Sequence, residues 1–191
     1  MRSLPEELAL GLSEMFSKIS GTSETVRSAR ELSGGSINTA CVFTLSSDRN
    51  YFVKYNFNDR YPGMFDAESK GLWLLRNTGT VRIPEVIGKG VAGEYAFLVM
   101  EMIEQGRQRS DFFESLGREV ACLHKVSDDE FGLNHDNYIG SLHQPNDKHA
   151  GFATFFSEMR LMPLAQKACS SGSLPMHYLK LIENICARLD E

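Results

Sequence analysis

The pattern of apolar and polar positions divides the chain into a strand-rich first half and a helical second half. Residues 3–6 fit a capping box, which predicts that a helix begins there. The residues that follow predict an amphipathic helix, because four apolar side chains recur at helical spacing: Leu8, Leu12, Met15 and Ile19. Short β-branched and apolar runs between polar turns predict strands at 25–32, 37–45, 51–54, 86–90 and 95–103. The last run is apolar at nearly every position, which is typical of a central strand covered on both faces.

A second helix is predicted at about residues 64–76, between the third and fourth strands. Its apolar face, with Phe65, Leu72 and Leu75, also carries Glu68. A carboxylate on an apolar face needs a partner, because burial of an unpaired charge is unfavourable. Lys54, at the end of the third strand, is the candidate. The alternative is that Glu68 lies at the edge of that face and reaches water.

From residue 104 onward the spacing predicts mainly helices. One begins at Ser110 and ends near Lys125, a polar loop fills 131–148, a helix over 151–168 is kinked or divided by Pro163, and a last helix follows Pro175. A five-stranded antiparallel lobe with one helix, followed by helices, is the layout of an α+β, protein-kinase-like fold. We therefore predict a nucleotide-binding lobe at 1–103 and a partial helical lobe at 104–191.

A glycine turn at Gly34, Gly35 and Ser36 separates the first two strands. Without a Cβ, glycine adopts positive φ and lets the backbone approach a ligand closely. A glycine turn over phosphates, followed one hairpin later by a strand lysine, is typical of the nucleotide-holding half of a kinase-type site. The same pattern also fits a plain β-hairpin with a solvated lysine, since the G-x-G-x-x-G spacing is missing.

The end of the fifth predicted strand suggests a second part of the same site. In a two-lobed kinase this strand leads into the hinge, where backbone N–H and C=O groups of Glu101, Met102 and Ile103 would bind an adenine edge. A core strand followed by an ordinary loop is the alternative.

Composition narrows the function classes. The net charge of −5 and the lack of a basic stripe argue against a nucleic-acid-binding protein. No apolar run reaches membrane-spanning length, and the first residues lack the basic and apolar stretches of a signal peptide. The four cysteines show no metal-binding spacing, so we expect reduced thiols in a cytoplasmic protein.

Several blocks, taken in order, resemble the fructosamine kinase (ketosamine-3-kinase) family, a branch of the kinase-like fold. They are 34–40, 51–56, 65–68 with 71–72, 97–101, 116–124, 131–132 with 136–140 and 144–146, 155–156 and 160–161. The resemblance implies ATP- and Mg²⁺-dependent phosphorylation of the C3 hydroxyl of ketosamine sugars, on small molecules or glycated proteins, as a deglycation repair. It implies that Lys54 holds phosphates, that Glu68 holds Lys54, and that residues 101–103 bind adenine.

The resemblance also implies a sugar-side segment, with candidate substrate residues Asp136, Asn137, Tyr138, Gln144 and Asn146. The family's His-Gly-Asp-Leu-Trp segment with its Gly-Asn, which supplies the catalytic base and a metal ligand, has no counterpart in these 191 residues. We therefore assign no catalytic or metal residue in this chain. Two hypotheses remain: the N-terminal part of a fructosamine kinase, or an inactive remnant that at most binds ATP. A related aminoglycoside or choline kinase is disfavoured by the block at 136–140.

Overall fold

The computed structural model describes residues 4–190 and contains the predicted five-stranded antiparallel sheet. Its strands are β1 (Val26–Leu32), β2 (Thr39–Leu45), β3 (Asn50–Phe57), β4 (Val86–Ala92) and β5 (Tyr95–Glu101), in the spatial order β1-β2-β3-β5-β4. The helices of this part are α1 (Glu6–Ser20), α2 (Met64–Asn77) and α3 (Phe112–Leu123). Ser3, the predicted capping residue, lies outside the described residues.

Helix α1 covers one face of the sheet. Its Leu8, Leu12 and Phe16 are fully buried, and every second residue of the central strands points at them. The Phe16 ring lies 4.4 Å from the ring of Tyr51 on β3. Our placement of Ile19 on the buried face is wrong, since Ile19 is 56% exposed; the 3.6-residue period brings Phe16 inward instead.

Helix α2 covers part of the opposite face. Phe65 packs with Leu98 and Met100 of β5, and Leu72 joins them. Leu75, predicted on the same apolar stripe, lies in the last turn of α2 and is 39% exposed, so its predicted burial is wrong. The sheet therefore has one face that α1 covers over the central strands and one face that α2 leaves partly open over β2 and β3.

Beyond β5 the helices begin later than predicted, and a strand pair appears. Helix α3 is preceded by Asp111 rather than by Ser110, and no side chain caps it. The predicted loop at 131–148 contains a hairpin of β6 (Asn137–Ile139) and β7 (Leu142–Gln144). The remaining elements are α4 (Phe152–Phe156), a π-helical turn (Ser157–Leu161), α5 (Met162–Ser170) and α6 (His177–Cys186).

The contacts divide the chain into two units, the first ending at Val126 and the second beginning at Ser127. The first contains the five-stranded sheet with α1 to α3, and the second contains the hairpin and the later helices. The lobe boundary at residue 103 stays a prediction about function. Within residues 4–190 no helix combines the length and the apolar composition needed to cross a bilayer. Cys41, Cys122, Cys169 and Cys186 are unpaired.

Two helical glycines allow a test of how closely α1 lies against the sheet. A Cβ at Gly11 would lie 2.4 Å from Cβ of Ala92 on β4, whereas a Cβ at Gly71 on α2 would meet nothing within 4 Å. We expect Gly11→Ala to lower the free energy of unfolding. Overpacking should cost roughly 1–3 kcal/mol, and the higher helix propensity of alanine should offset part of that cost. Gly71→Ala should raise it by up to about 1 kcal/mol. Urea unfolding of both variants measures this, and equal gains in stability would contradict the packing of α1.

Candidate functional site

The centre of the candidate site is an ion pair between β3 and α2. The Lys54 Nζ donates to Oε1 of Glu68 at 2.5 Å, so the predicted pairing of these side chains is present. The two side chains are 32% and 25% exposed, which leaves the ammonium group accessible to a ligand. The pair exists because alternation along β3 points Lys54 at the face that α2 partly covers.

The glycine turn lies beside Lys54. Gly34 and Gly35 have φ of 110° and 103°, which are values that residues with a Cβ rarely adopt. Among the described residues, the N–H groups of Gly34, Gly35 and Ser36 donate to no carbonyl or side chain. Successive free N–H groups in a turn, beside an ammonium, form a concave surface that attracts anions. These residues and Lys54 line one open cavity of about 280 Å³.

The rest of this cavity is apolar. Its apolar lining residues are Leu32, Ile37, Ala40 and Phe52. Ala40 lies opposite Lys54 in the β2–β3 register, and Phe52 lies two residues before Lys54 on the same face of β3. The cavity therefore offers a cationic end for an anionic group and an apolar wall for a flat, uncharged group. Our sequence analysis missed Ala40 and Phe52, although strand alternation from Lys54 identifies both.

The end of β5 is held by a charged cluster. The Glu101 N–H donates to the Glu85 carbonyl at 2.8 Å, and the Glu101 carboxylate accepts from Arg82 at 2.5 Å and from the Glu85 N–H at 3.3 Å. The N–H of Glu85 and then the guanidinium of Arg82 hold the pKa of the Glu101 carboxyl below its ordinary value. The Glu101 N–H is thus unavailable to an adenine ring, which corrects that part of our hinge prediction.

Strand β5 ends at Glu101 rather than at Ile103. Met102 and Ile103 therefore lie outside the sheet, and within residues 4–190 their N–H groups have no backbone or side-chain acceptor. In the β3–β5 register Glu101 lies opposite Tyr51, and Leu98 lies opposite Lys54. The end of β5 is therefore roughly 10 Å along the strand from the level of Lys54. The free N–H groups of Met102 and Ile103 follow directly after this end of β5.

The five candidate substrate residues lie in the second unit, and four of them form two hydrogen-bonded pairs. The Gln144 Nε2 donates to Oδ1 of Asn137 at 2.9 Å across the hairpin. Asp136 accepts from the Asn146 N–H at 3.0 Å through Oδ1, and its Oδ2 lies 3.2 Å from Nε2 of His143. The Tyr138 ring meets His143 edge to face. Asp136 and His143 remain about half exposed, so this end of the hairpin is open to solvent.

Asn146 differs from the other four because its side chain is 1% exposed. Its Nδ2 donates to the His135 carbonyl at 3.1 Å, and its Oδ1 accepts from Nη2 of Arg160 at 2.5 Å. The Arg160 guanidinium also donates to the Pro145 carbonyl and lies over the Phe155 ring. With both ends of its amide engaged, Asn146 stabilises the loop, which corrects our assignment of a direct substrate contact.

Comparison with known proteins places this geometry in a family. The sequence model of the family described as fructosamine kinase matches residues 10–191. The "Probable ketoamine kinase" of Synechocystis sp. is 33% identical over 166 residues, which cover 86% of this chain and 56% of that protein. The "Probable ketoamine kinase" of Escherichia coli K12 is 31% identical over 179 residues, which cover 93% and 62%. The chain thus spans about three fifths of these relatives.

Solved structures agree with the sequence comparison. A crystal structure of a Haemophilus somnus protein, provisionally assigned as a fructosamine-3-kinase, superposes with a TM-score of 0.83 at 28% identity and covers 95% of this chain and 62% of that one. A Thermobifida fusca protein with the same provisional assignment superposes at 0.78 with 24% identity, covering 94% and 61%. The predicted α+β, kinase-like fold is confirmed by these neighbours.

The charged cluster at the end of β5 generates a pH prediction. Since the pKa of Glu101 is lowered from 4.5, its interactions stabilise the folded chain above about pH 4.5 and are lost as the pH falls through the lowered value. We expect Arg82→Gln to raise the pKa of Glu101 only part of the way back to its ordinary value, because the hydrogen bond from the Glu85 N–H is the larger cause of the lowering. Carbon-13 NMR titration of the Glu carboxyls measures it. Arg27→Gln, which breaks the exposed pair with Asp48, is the control, and an unchanged Glu101 titration in Arg82→Gln would contradict the assignment.

Proposed function

The chain belongs to the fructosamine kinase family, and we propose that it forms the nucleotide-binding part of an ATP-dependent ketoamine kinase. The observation that carries the proposal is the Lys54–Glu68 pair beside a glycine turn whose N–H groups are free. A strand lysine held by a helix carboxylate orients its ammonium group on nucleotide phosphates in kinases.

The residues of the first unit fit ATP. The glycine turn and Lys54 suit the phosphates, since free N–H groups and an ammonium both favour anions. Ala40 and Phe52 suit the purine, whose faces are apolar and stack on aromatic rings. Met102 and Ile103 supply free N–H groups for the edge of the base. Bound ATP would supply the phosphoryl group, and these residues would bind and orient it.

The residues present do not fit a protein-built Mg²⁺ site. No group of three or more His, Cys, Asp or Glu side chains is gathered in the described part of the chain, and Glu68 is engaged with Lys54. We therefore place any Mg²⁺ on the phosphates of the nucleotide and assign it no ligand here. We also assign no catalytic base, and phosphoryl transfer is proposed for the whole protein only.

The acceptor that we propose is a ketosamine, the sugar adduct of an amine, carried by a small molecule or by a glycated protein. The support is family membership together with the exposed Asp136 and His143 and the half-buried Tyr138 at the β6–β7 hairpin, where a carboxylate and aromatic rings can meet a sugar. Asn137 and Gln144 would shape that hairpin through their mutual hydrogen bond. We place the protein in the cytoplasm, in keeping with its four unpaired cysteines.

Replacement of the site lysine tests nucleotide binding. We expect Lys54→Met to weaken binding of Mg-ATP by roughly 10- to 100-fold, the loss of one charge-assisted hydrogen bond to a phosphate. Isothermal titration calorimetry of the 191-residue chain measures this. Lys89→Met is the matched control, because Lys89 on β4 also pairs with a carboxylate of α2, Asp66, but lies outside the glycine-turn cavity. Equal affinities in the parent and in Lys54→Met would contradict the phosphate assignment.

Transfer is tested separately from binding. The chain is incubated with Mg-ATP and N-ε-fructosyl-lysine, and phosphorus NMR is used to detect a sugar phosphate. A sugar phosphate that disappears in Lys54→Met would show transferase activity in these residues. ATP binding without transfer would favour the inactive alternative for this chain while leaving the nucleotide site intact.

A further inference from the structure

We propose that Asn56 is a positioning residue that fixes the glycine turn and the start of α2 relative to Lys54. Asn56 lies on β3 two residues after Lys54, on the same face of the sheet. Its side-chain Nδ2 donates to Oδ1 of Asn38 at 2.6 Å, and it also lies 3.8 Å from the Met64 sulfur. The effect of Asn56 on phosphate binding rests on the proposed function. Its effect on the order of the glycine turn and of the start of α2 does not.

The three side chains belong to the three segments that build the phosphate end of the cavity. Asn38 follows the glycine turn and itself lies 3.6 Å from the Met64 sulfur through Nδ2. Met64 is the first residue of α2 and precedes Glu68 by one helical turn on the same helix face. Two contacts therefore connect β3 to α2, namely Asn56 with Met64 and Lys54 with Glu68. Only the first also connects to the glycine turn, through Asn38.

Burial indicates that Asn56 is not present for stability. The residue is 9% exposed, and its Oδ1 is buried without a hydrogen-bond partner among the described residues. A buried amide oxygen without a partner destabilises a fold, and a leucine of similar size would avoid that cost. An asparagine at this position is explained by what its Nδ2 does, which is to hold the turn through Asn38.

The turn needs such a restraint because its own backbone provides none. Gly34 and Gly35 are flexible residues, and the N–H groups from 34 to 36 have no acceptor in the described chain. Free N–H groups bind an anion well only if their directions are fixed beforehand, since ordering a loop on binding reduces affinity. The Asn38–Asn56 hydrogen bond supplies that order on the side of the turn nearest Lys54.

The first test measures the linkage in the ligand-free chain. Nitrogen-15 relaxation of Asn56→Leu should show order parameters of residues 34–38 and 64–67 falling toward about 0.6 or below, the range of flexible backbone. Asn50→Leu is the matched control, because Asn50 begins the same strand but its exposed side chain bonds to Thr44 and not to the glycine turn or α2. Unchanged order parameters in Asn56→Leu overturn the inference. Asn38→Ala breaks the same hydrogen bond from the turn and decides the question if Asn56→Leu does not fold.

The second test measures the consequence for the nucleotide site. We expect Asn56→Leu to weaken Mg-ATP binding by roughly fivefold. Adenosine, which lacks phosphates, should bind the parent and the variant equally, and thermal unfolding should show a midpoint no lower than the parent's. An equal loss for ATP and adenosine would show a merely structural role and overturn the inference. A parent chain that does not bind Mg-ATP refutes the proposed function, while the order parameters still decide the linkage.

Discussion

A lysine on an inner strand determines how this fold is arranged around its site. Lys54 points at the sheet face opposite α1, where its side chain is 32% exposed beside the glycine turn. Glu68 pairs with it at 2.5 Å and so joins β3 to α2, which itself packs on β4 and β5. Phe65 and Leu72 then fall onto Leu98 and Met100. Because both charges stay partly exposed, the pair contributes more to the position of α2 than to stability.

Much of the first unit could be predicted from the sequence, because its elements follow simple periods. Short apolar and β-branched runs between polar turns identified all five strands, and the 3.6-residue period identified α1 and α2. The Lys54–Glu68 pair could also be predicted, since a carboxylate on the apolar face of α2 needs a cation. Errors occurred at the ends of elements. Ile19 and Leu75 continue an apolar stripe in the sequence, yet both are exposed in the structure, and Phe16 is the residue of the last turns of α1 that is buried.

The second unit was harder to predict, because its structure depends on side-chain hydrogen bonds between distant residues. The hairpin of β6 and β7 has only three residues in each strand, too few for a clear alternation of apolar and polar positions. Asn146 resembled a ligand-binding residue by type and motif, and its burial beneath Arg160 became visible only in three dimensions. The π-helical turn that carries Arg160 ends just before Pro163, so the proline changes the helical geometry where we expected a kink.

The residues proposed to hold the nucleotide all lie between Gly34 and Ile103, inside the first unit. That unit has its own two-sided core, since α1 closes one face of the sheet and α2 covers part of the other. The glycine turn, the ammonium group and the apolar wall line one cavity whose residues all belong to this unit. In our proposal, binding of a nucleotide and transfer of its phosphoryl group are therefore physically separable. The first depends on how β3, α2 and the glycine turn are held together, and the second requires a proton acceptor that we assign to none of these residues.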